Sequence, residues 1–206
     1  PTMHLRRMLP ARLVAAFLLL LPALTGLRAM SVIPPTFAEL VAEADAIVRA
    51  RVVSIQPYLD RTALGEVVRT RVTFEVETTL KGRHEGGLTL EFLGGEVDGR
   101  GLRVPGMPTF APGATEVLFV TQQGAGLCPL VAAGHGRYRV LTDRASGREF
   151  IARNDATPLA SEHDVQLPFS NAAALVRPGA AGLSPTVFSA RILAELERAT
   201  GNRQTR

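Results

Sequence analysis

The stretch Val68-Arg-Thr-Arg-Val-Thr-Phe-Glu-Val-Glu77 alternates strictly, with Val68, Thr70, Val72, Phe74 and Val76 on one side and Arg69, Arg71, Thr73, Glu75 and Glu77 on the other. A period of two sustained over this length is the pattern of a β-strand with one buried face. The segments around it repeat the pattern. Asp45 to Ile55 sets Val48, Ala50 and Val52 against Arg49 and Arg51, and Leu88, Leu90 and Phe92 alternate with Thr89 and Glu91. Pro57 to Gly65 reads as a polar loop between the first two strands, and Lys81-Gly82 as the turn toward the third.

Further along, Glu116-Val-Leu-Phe-Val-Thr121 is apolar on both faces, as a central strand is. Arg137 to Leu141 and Arg148 to Ala152 form a hairpin that turns near Ser146-Gly147. Gly94-Gly95, Asp98-Gly-Arg-Gly101, Val104-Pro-Gly-Met-Pro-Thr-Phe110 and Pro112-Gly113 supply turn chemistry with room for a small hairpin. Thr36 caps a short helix whose Phe37, Leu40, Val41 and Ala44 recur at helical spacing, with Glu39 completing a capping box. Ser184 and Pro185 open a second helix with Phe188, Ile192, Leu193 and Leu196 as its apolar stripe. Residues 154–183 carry no period and read as a long covering loop, and residues 201–206 as a frayed tail. The expected fold is mainly β: a small closed OB-like barrel, with the short N-terminal helix and with the C-terminal helix packed on it. A β-sandwich is the alternative.

The N-terminal end has a different composition. Arg6, Arg7 and Arg12 precede the apolar run Leu13 to Leu21, and Ala29 and Ser31 are the small residues that suit cleavage before Val32. This is the three-part pattern of a secretory signal over residues 1–31. A domain over residues 32–200 would then be periplasmic or secreted, meeting the membrane only during export. The signal holds four of the 23 basic residues and none of the 19 acidic ones, so the exported part balances 19 against 19. Net charge therefore gives no argument for nucleic-acid binding. Cys128 is the only cysteine, which excludes an internal disulfide and leaves either a buried small hydrophobe or a free thiol.

Two segments, Ala44-Asp-Ala-Ile-Val-Arg-Ala-Arg-Val-Val-Ser54 and Val72-Thr-Phe-Glu-Val-Glu-Thr-Thr-Leu-Lys-Gly82, resemble the first two barrel strands of netrin-like (NTR) domains, the group that includes the tissue inhibitors of metalloproteinases. Glu116-Val-Leu-Phe-Val120 is similar to a later strand of that group. The chain also resembles uncharacterised exported bacterial proteins that continue into a Gly-Gly strand end and a V-x-G-x-P-x-F segment, here Gly94-Gly95 and Val104 to Phe110. The resemblance implies a TIMP-like OB barrel that recognises a protein partner, with a secreted metalloprotease as one such partner. In the animal inhibitors an N-terminal cysteine contacts the protease zinc, and no cysteine lies between Ser31 and Leu127 here.

Candidate chemistry is sparse. His84, His135 and His163 do not pair at metal-site spacing, and in Glu162-His163-Asp164 adjacent side chains diverge. Cys128 with His135 is the only nameable nucleophile and base, for a cryptic hydrolase. No catalytic, cofactor or metal residue is assigned, and the expectation is a non-enzymatic binding module. Its expected partner surface is the arm Val32, Ile33 and Pro34 with the loop residues Gly94, Gly95, Pro105, Gly106, Pro108 and Phe110. The alternative is polyanion or glycan binding by an outward face of Arg49, Arg51, Arg69, Arg71, Arg137 and Arg139. Against it stands pairing of those arginines with Glu75, Glu77 and Glu91 across the strands.

Overall fold

The computed structural model describes residues 33–63, 65–84, 86–122, 127–169 and 182–204, with side chains to residue 201. The signal segment and Val32 lie outside the described residues.

Helix α1 (Phe37–Glu43) starts at Thr36, whose hydroxyl accepts from the Glu39 backbone N–H while the Glu39 carboxylate accepts from the Thr36 N–H at 2.8 Å. The capping box forms as the sequence predicts. Strands β1 (Ala46–Thr62) and β2 (Gly65–Lys81) make one long hairpin. They are followed by β3 (Gly87–Leu93), the small ribbon β4 (Gly95–Val97) and β5 (Arg100–Leu102), and then β6 (Thr115–Val120), β7 (Arg137–Thr142) and β8 (Glu149–Arg153). Helix α2 (Pro185–Gln204) is opened by Ser184, whose hydroxyl accepts from Val187 N–H at 3.2 Å. Its helical backbone continues to Gln204, into the stretch expected to fray.

The main sheet runs β3-β2-β1-β6-β7-β8, with every described pair antiparallel. It is open, and this overturns the expected closed OB-like, NTR/TIMP-like barrel. β3 and β8 stay at opposite edges and do not pair with each other. The reason lies in the central strands. A small barrel buries one face of each strand, but here β1 buries both Ile47 and Val48, and β6 buries every residue from Glu116 to Val120. Two cores result. The front face carries Val48, Ala50, Val72, Phe74, Leu90, Phe92 and Leu118 beneath Phe110, Cys128 and Leu130. The back face carries Ile47, Val117, Phe119 and Tyr138 beneath α1 and α2, where Phe37 and Phe188 meet at 6.1 Å between ring centroids.

The expected loop from Pro57 to Gly65 is instead the far half of the hairpin, paired from Pro57↔Thr70 to Thr62↔Gly65. Pro57 is tolerated because β6 accompanies β1 only from Ala46 to Arg51, so no ladder needs a Pro57 N–H on that side. The stretch after β8 covers the domain as expected at Leu159 and Val165, both buried. It also dresses the β8 edge: Arg153 N–H donates to Thr157, and Ile151 N–H to Leu183. In α2, Phe188 and Ile192 are buried, whereas Leu193, expected in the apolar stripe, is exposed.

Candidate functional site

The glycine-rich segments converge. β3 ends where Gly94 and Gly95 take φ of +103° and +132°, a region in which side chains are strained. A Cβ on Gly95 would stand 2.3 Å from the Thr70 hydroxyl. That closeness lets Thr70 donate to the Gly94 carbonyl at 2.7 Å and pin the strand end to β2. The chain then makes the β4–β5 ribbon and returns over the front face as the segment 103–110.

Between this return and the sheet lies a cleft of about 840 Å³. Ile55, Val72 and Phe92 form its floor, Met107 and Phe110 its roof, and Gly94, Gly95 and Gly101 one wall. Of the expected partner residues, Gly94, Gly95, Pro105, Gly106, Pro108 and Phe110 all line it. Ile33 and Pro34 do not. Ile33 is 86% exposed and leads into α1 on the back of the sheet, so arm and loops do not make one surface.

Phe110 is held from three sides. It packs edge-on against Phe74 at 5.3 Å and against Phe92 at 4.9 Å, and the Arg137 guanidinium lies 4.7 Å from its ring centroid. Arg137 is itself anchored in a fork–fork pair with Glu116, at 2.6 and 3.1 Å, and donates to Asn154 Oδ1 at 2.9 Å. Glu116 is 0% exposed. Burial pushes its carboxyl above the ordinary carboxylate value, and Arg137 pulls it back. Gly134 allows the return to sit this low, since a Cβ there would stand 2.7 Å from the Gly106 carbonyl.

The six arginines do not share a face. β-strand alternation puts Arg137 and Arg139 on the front with Glu116 and Leu118, and Arg49, Arg51, Arg69 and Arg71 on the back. The back-face four are paired: Arg49 with Glu77 at 3.1 Å, Arg51 with Glu75 at 3.1 Å, Arg69 with Asp60 at 2.8 Å and Arg71 with Glu91 at 2.7 Å. This is the cross-strand pairing the alternation allows.

Cys128 sits in the front core, where burial pushes its thiol up to about 11 and keeps it protonated. His135 stacks on Phe169 at 4.1 Å, and burial together with nearby Arg153 lowers its pKa. A protonated, enclosed thiol is a poor nucleophile. Glu162 is bound by Arg191 at 2.8 Å, and Asp164 accepts from Ala160 and Ser161 N–H. No group of three or more His, Cys, Asp or Glu converges among the described residues.

Sequence reasoning missed the cleft residues Ile55, Thr70, Val72, Phe92 and Arg103. The signal available was Met107 and Phe110 standing as apolar residues in an otherwise turn-forming segment. The molecule is thus defined as an open, two-faced β-sheet domain with a glycine-walled cleft on its front. No protein-family model matches the chain, and no curated protein matches it in sequence.

Proposed function

We propose that this is an exported, non-catalytic binding module that holds an extended segment of a partner protein in the front cleft. The observation that carries the reading is the cleft itself. Its volume lies in the range of ligand sites, and its floor and roof are apolar. Glu96 and Arg103 stand at the lining with no ion partner among the described residues, and they offer one charge of each sign to a peptide. The lining contains neither histidine nor cysteine, so its side chains favour holding over group transfer.

Affinity capture from the host's exported fraction, with secreted metalloproteases screened alongside, tests the reading. Wild-type protein is compared with Met107→Glu, which puts a charge under the roof, and with Arg51→Glu on the back face. A partner retained by wild type and Arg51→Glu but lost by Met107→Glu is expected. Retention unchanged by Met107→Glu would sink the cleft as the binding site. Sequencing the N-terminus of protein recovered outside the cytoplasm should return Val32 as its first residue.

A further inference from the structure

After β8 the chain folds back over the sheet, and two side chains fasten it there. His135 stands in the short turn Ala133–Gly136 that leads into β7, and it is 7% exposed. Its ring stacks on Phe169, with centroids 4.1 Å apart and planes 20° from parallel, and its ring N–H donates to the Val165 carbonyl. Arg153, buried on β8, donates to the Leu167 and Pro168 carbonyls, and its guanidinium lies 5.0 Å from the Phe169 ring centroid. One fixed cation and one titratable ring thus hold the segment 162–169. The turn is pressed close to it: a Cβ on Gly134 would stand 3.2 Å from Phe169 and 2.6 Å from the Asn154 amide. Ala132 and Ala133 take φ of +47° and +54°, a region that disfavours side chains, so the turn keeps its shape only while its contacts hold it.

We propose that His135 is a proton-operated latch: its neutral ring holds the segment 162–169 against β7 and β8, and a proton on that ring releases it. The charges around the ring set the direction. Arg153 on β8 repels a second cation, and Asp155, which attracts one, lies 4.0 Å from Arg153 and is shared with it. On the covering segment, Glu162 is taken by Arg191 of α2 and Asp164 by the Ala160 and Ser161 N–H groups, while His163 is exposed. On β7, Arg137 is held by Glu116. A charged ring in this enclosed site is therefore stabilised in full only by water, which it reaches when the segment lifts. Lifting draws the fully buried Val165 out of the back core. The opened ring titrates at the ordinary histidine value of 6.5 and takes up one proton, so opening becomes easier as pH falls through that value.

Hydrogen exchange of the protein, read by mass spectrometry at pH 7.5 and 5.5 and corrected for intrinsic rates, is the test. In wild type, residues 161–167 are expected to be less protected than the β1–β2 hairpin, because they open without unfolding the domain. Their opening constant should rise several-fold at the lower pH, with about tenfold as the ceiling for one proton taken up between 6.5 and 5.5. His135→Phe keeps a ring against Phe169 but takes no proton, so its ratio between the two pH values should fall to about one. His163→Asn, at the exposed neighbour, should keep the wild-type ratio. Circular dichroism shows which variants are folded, and wild type with His163→Asn decides the matter if His135→Phe is not. A wild-type ratio near one, equal protection of segment and hairpin, a ratio that persists in folded His135→Phe, or one that vanishes in His163→Asn overturns the proposal. No arm of the experiment needs a bound partner, so its failure leaves the cleft reading standing, and Met107→Glu tests that reading alone.

Discussion

Arg137 does two jobs with one guanidinium. Its fork neutralises Glu116 inside the front core, and its flat face supports Phe110. Removing one partner of such a pair leaves a buried charge uncompensated. Arg137→Met should therefore cost about 3–5 kcal/mol in urea denaturation, whereas Arg137→Met combined with Glu116→Leu should cost less than Arg137→Met alone. A double variant at least as unstable as Arg137→Met would show that the Phe110 contact, and not the uncompensated carboxylate, sets the loss. His135 gives a second test at this scale. Its folded pKa lies below the ordinary 6.5, chiefly because burial disfavours the charged ring. Between the folded value and 6.5, the unfolded chain carries a proton that the folded chain does not. Stability on this account rises with pH through that window and is level above it. His135→Phe, which keeps a ring against Phe169, should reduce the stability difference between pH 5.5 and 7.5; an unchanged difference would remove His135 as its source.

Among the elements, the β3 end and the β4–β5 ribbon decide the shape of the cleft. Gly95→Ala meets both a strained φ and the Thr70 hydroxyl, while Gly101→Ala in the same wall meets nothing closer than 4.0 Å and has no left-handed φ. Gly95→Ala should cost about 1–3 kcal/mol and speed amide exchange from residue 94 to 104, with Gly101→Ala close to wild type. Equal behaviour of the two variants would mean that the wall is not set by backbone conformation. Strands with one solvated face were legible because alternation survives there, as in Val68 to Val76. The far half of β1 was not: beyond Arg51 it loses β6 as a neighbour, so Gln56 to Thr62 have no continuous apolar face to announce a strand. Barrel and open sheet share the same strand patterns. The burial of Ile47 beside Val48 and of both faces of β6 separates them, and the back-face half of that burial depends on helices from distant parts of the chain. The cleft's glycine loops were legible as turn formers, but its floor was hidden among ordinary inward strand residues such as Val72. Arg137 read as an outward residue because nothing in its own strand shows that Glu116, diagonal to it on β6, takes its guanidinium.

For the molecule as a whole, two cores on opposite faces of one sheet share β1 and β6. Damage to the back core should therefore reach the front. Phe188 touches Phe37, Phe119 and Tyr138, with ring centroids 5.0–6.3 Å apart. Phe188→Ala should cost about 3–5 kcal/mol, and denaturation followed by backbone circular dichroism and by labelling of Cys128 should remain a single transition. Two separated transitions would mean that the cores are independent.

The meeting of Phe37 with Phe188 has a consequence for timing. The first helix of the domain waits for the last, and the wall that β1 and β6 present to both of them stays uncovered until Ile192 has left the ribosome. A chain ordered this way stays unlocked while it is being made. The back core closes only after α2 has been made, and whatever acts on the unlocked domain acts before that.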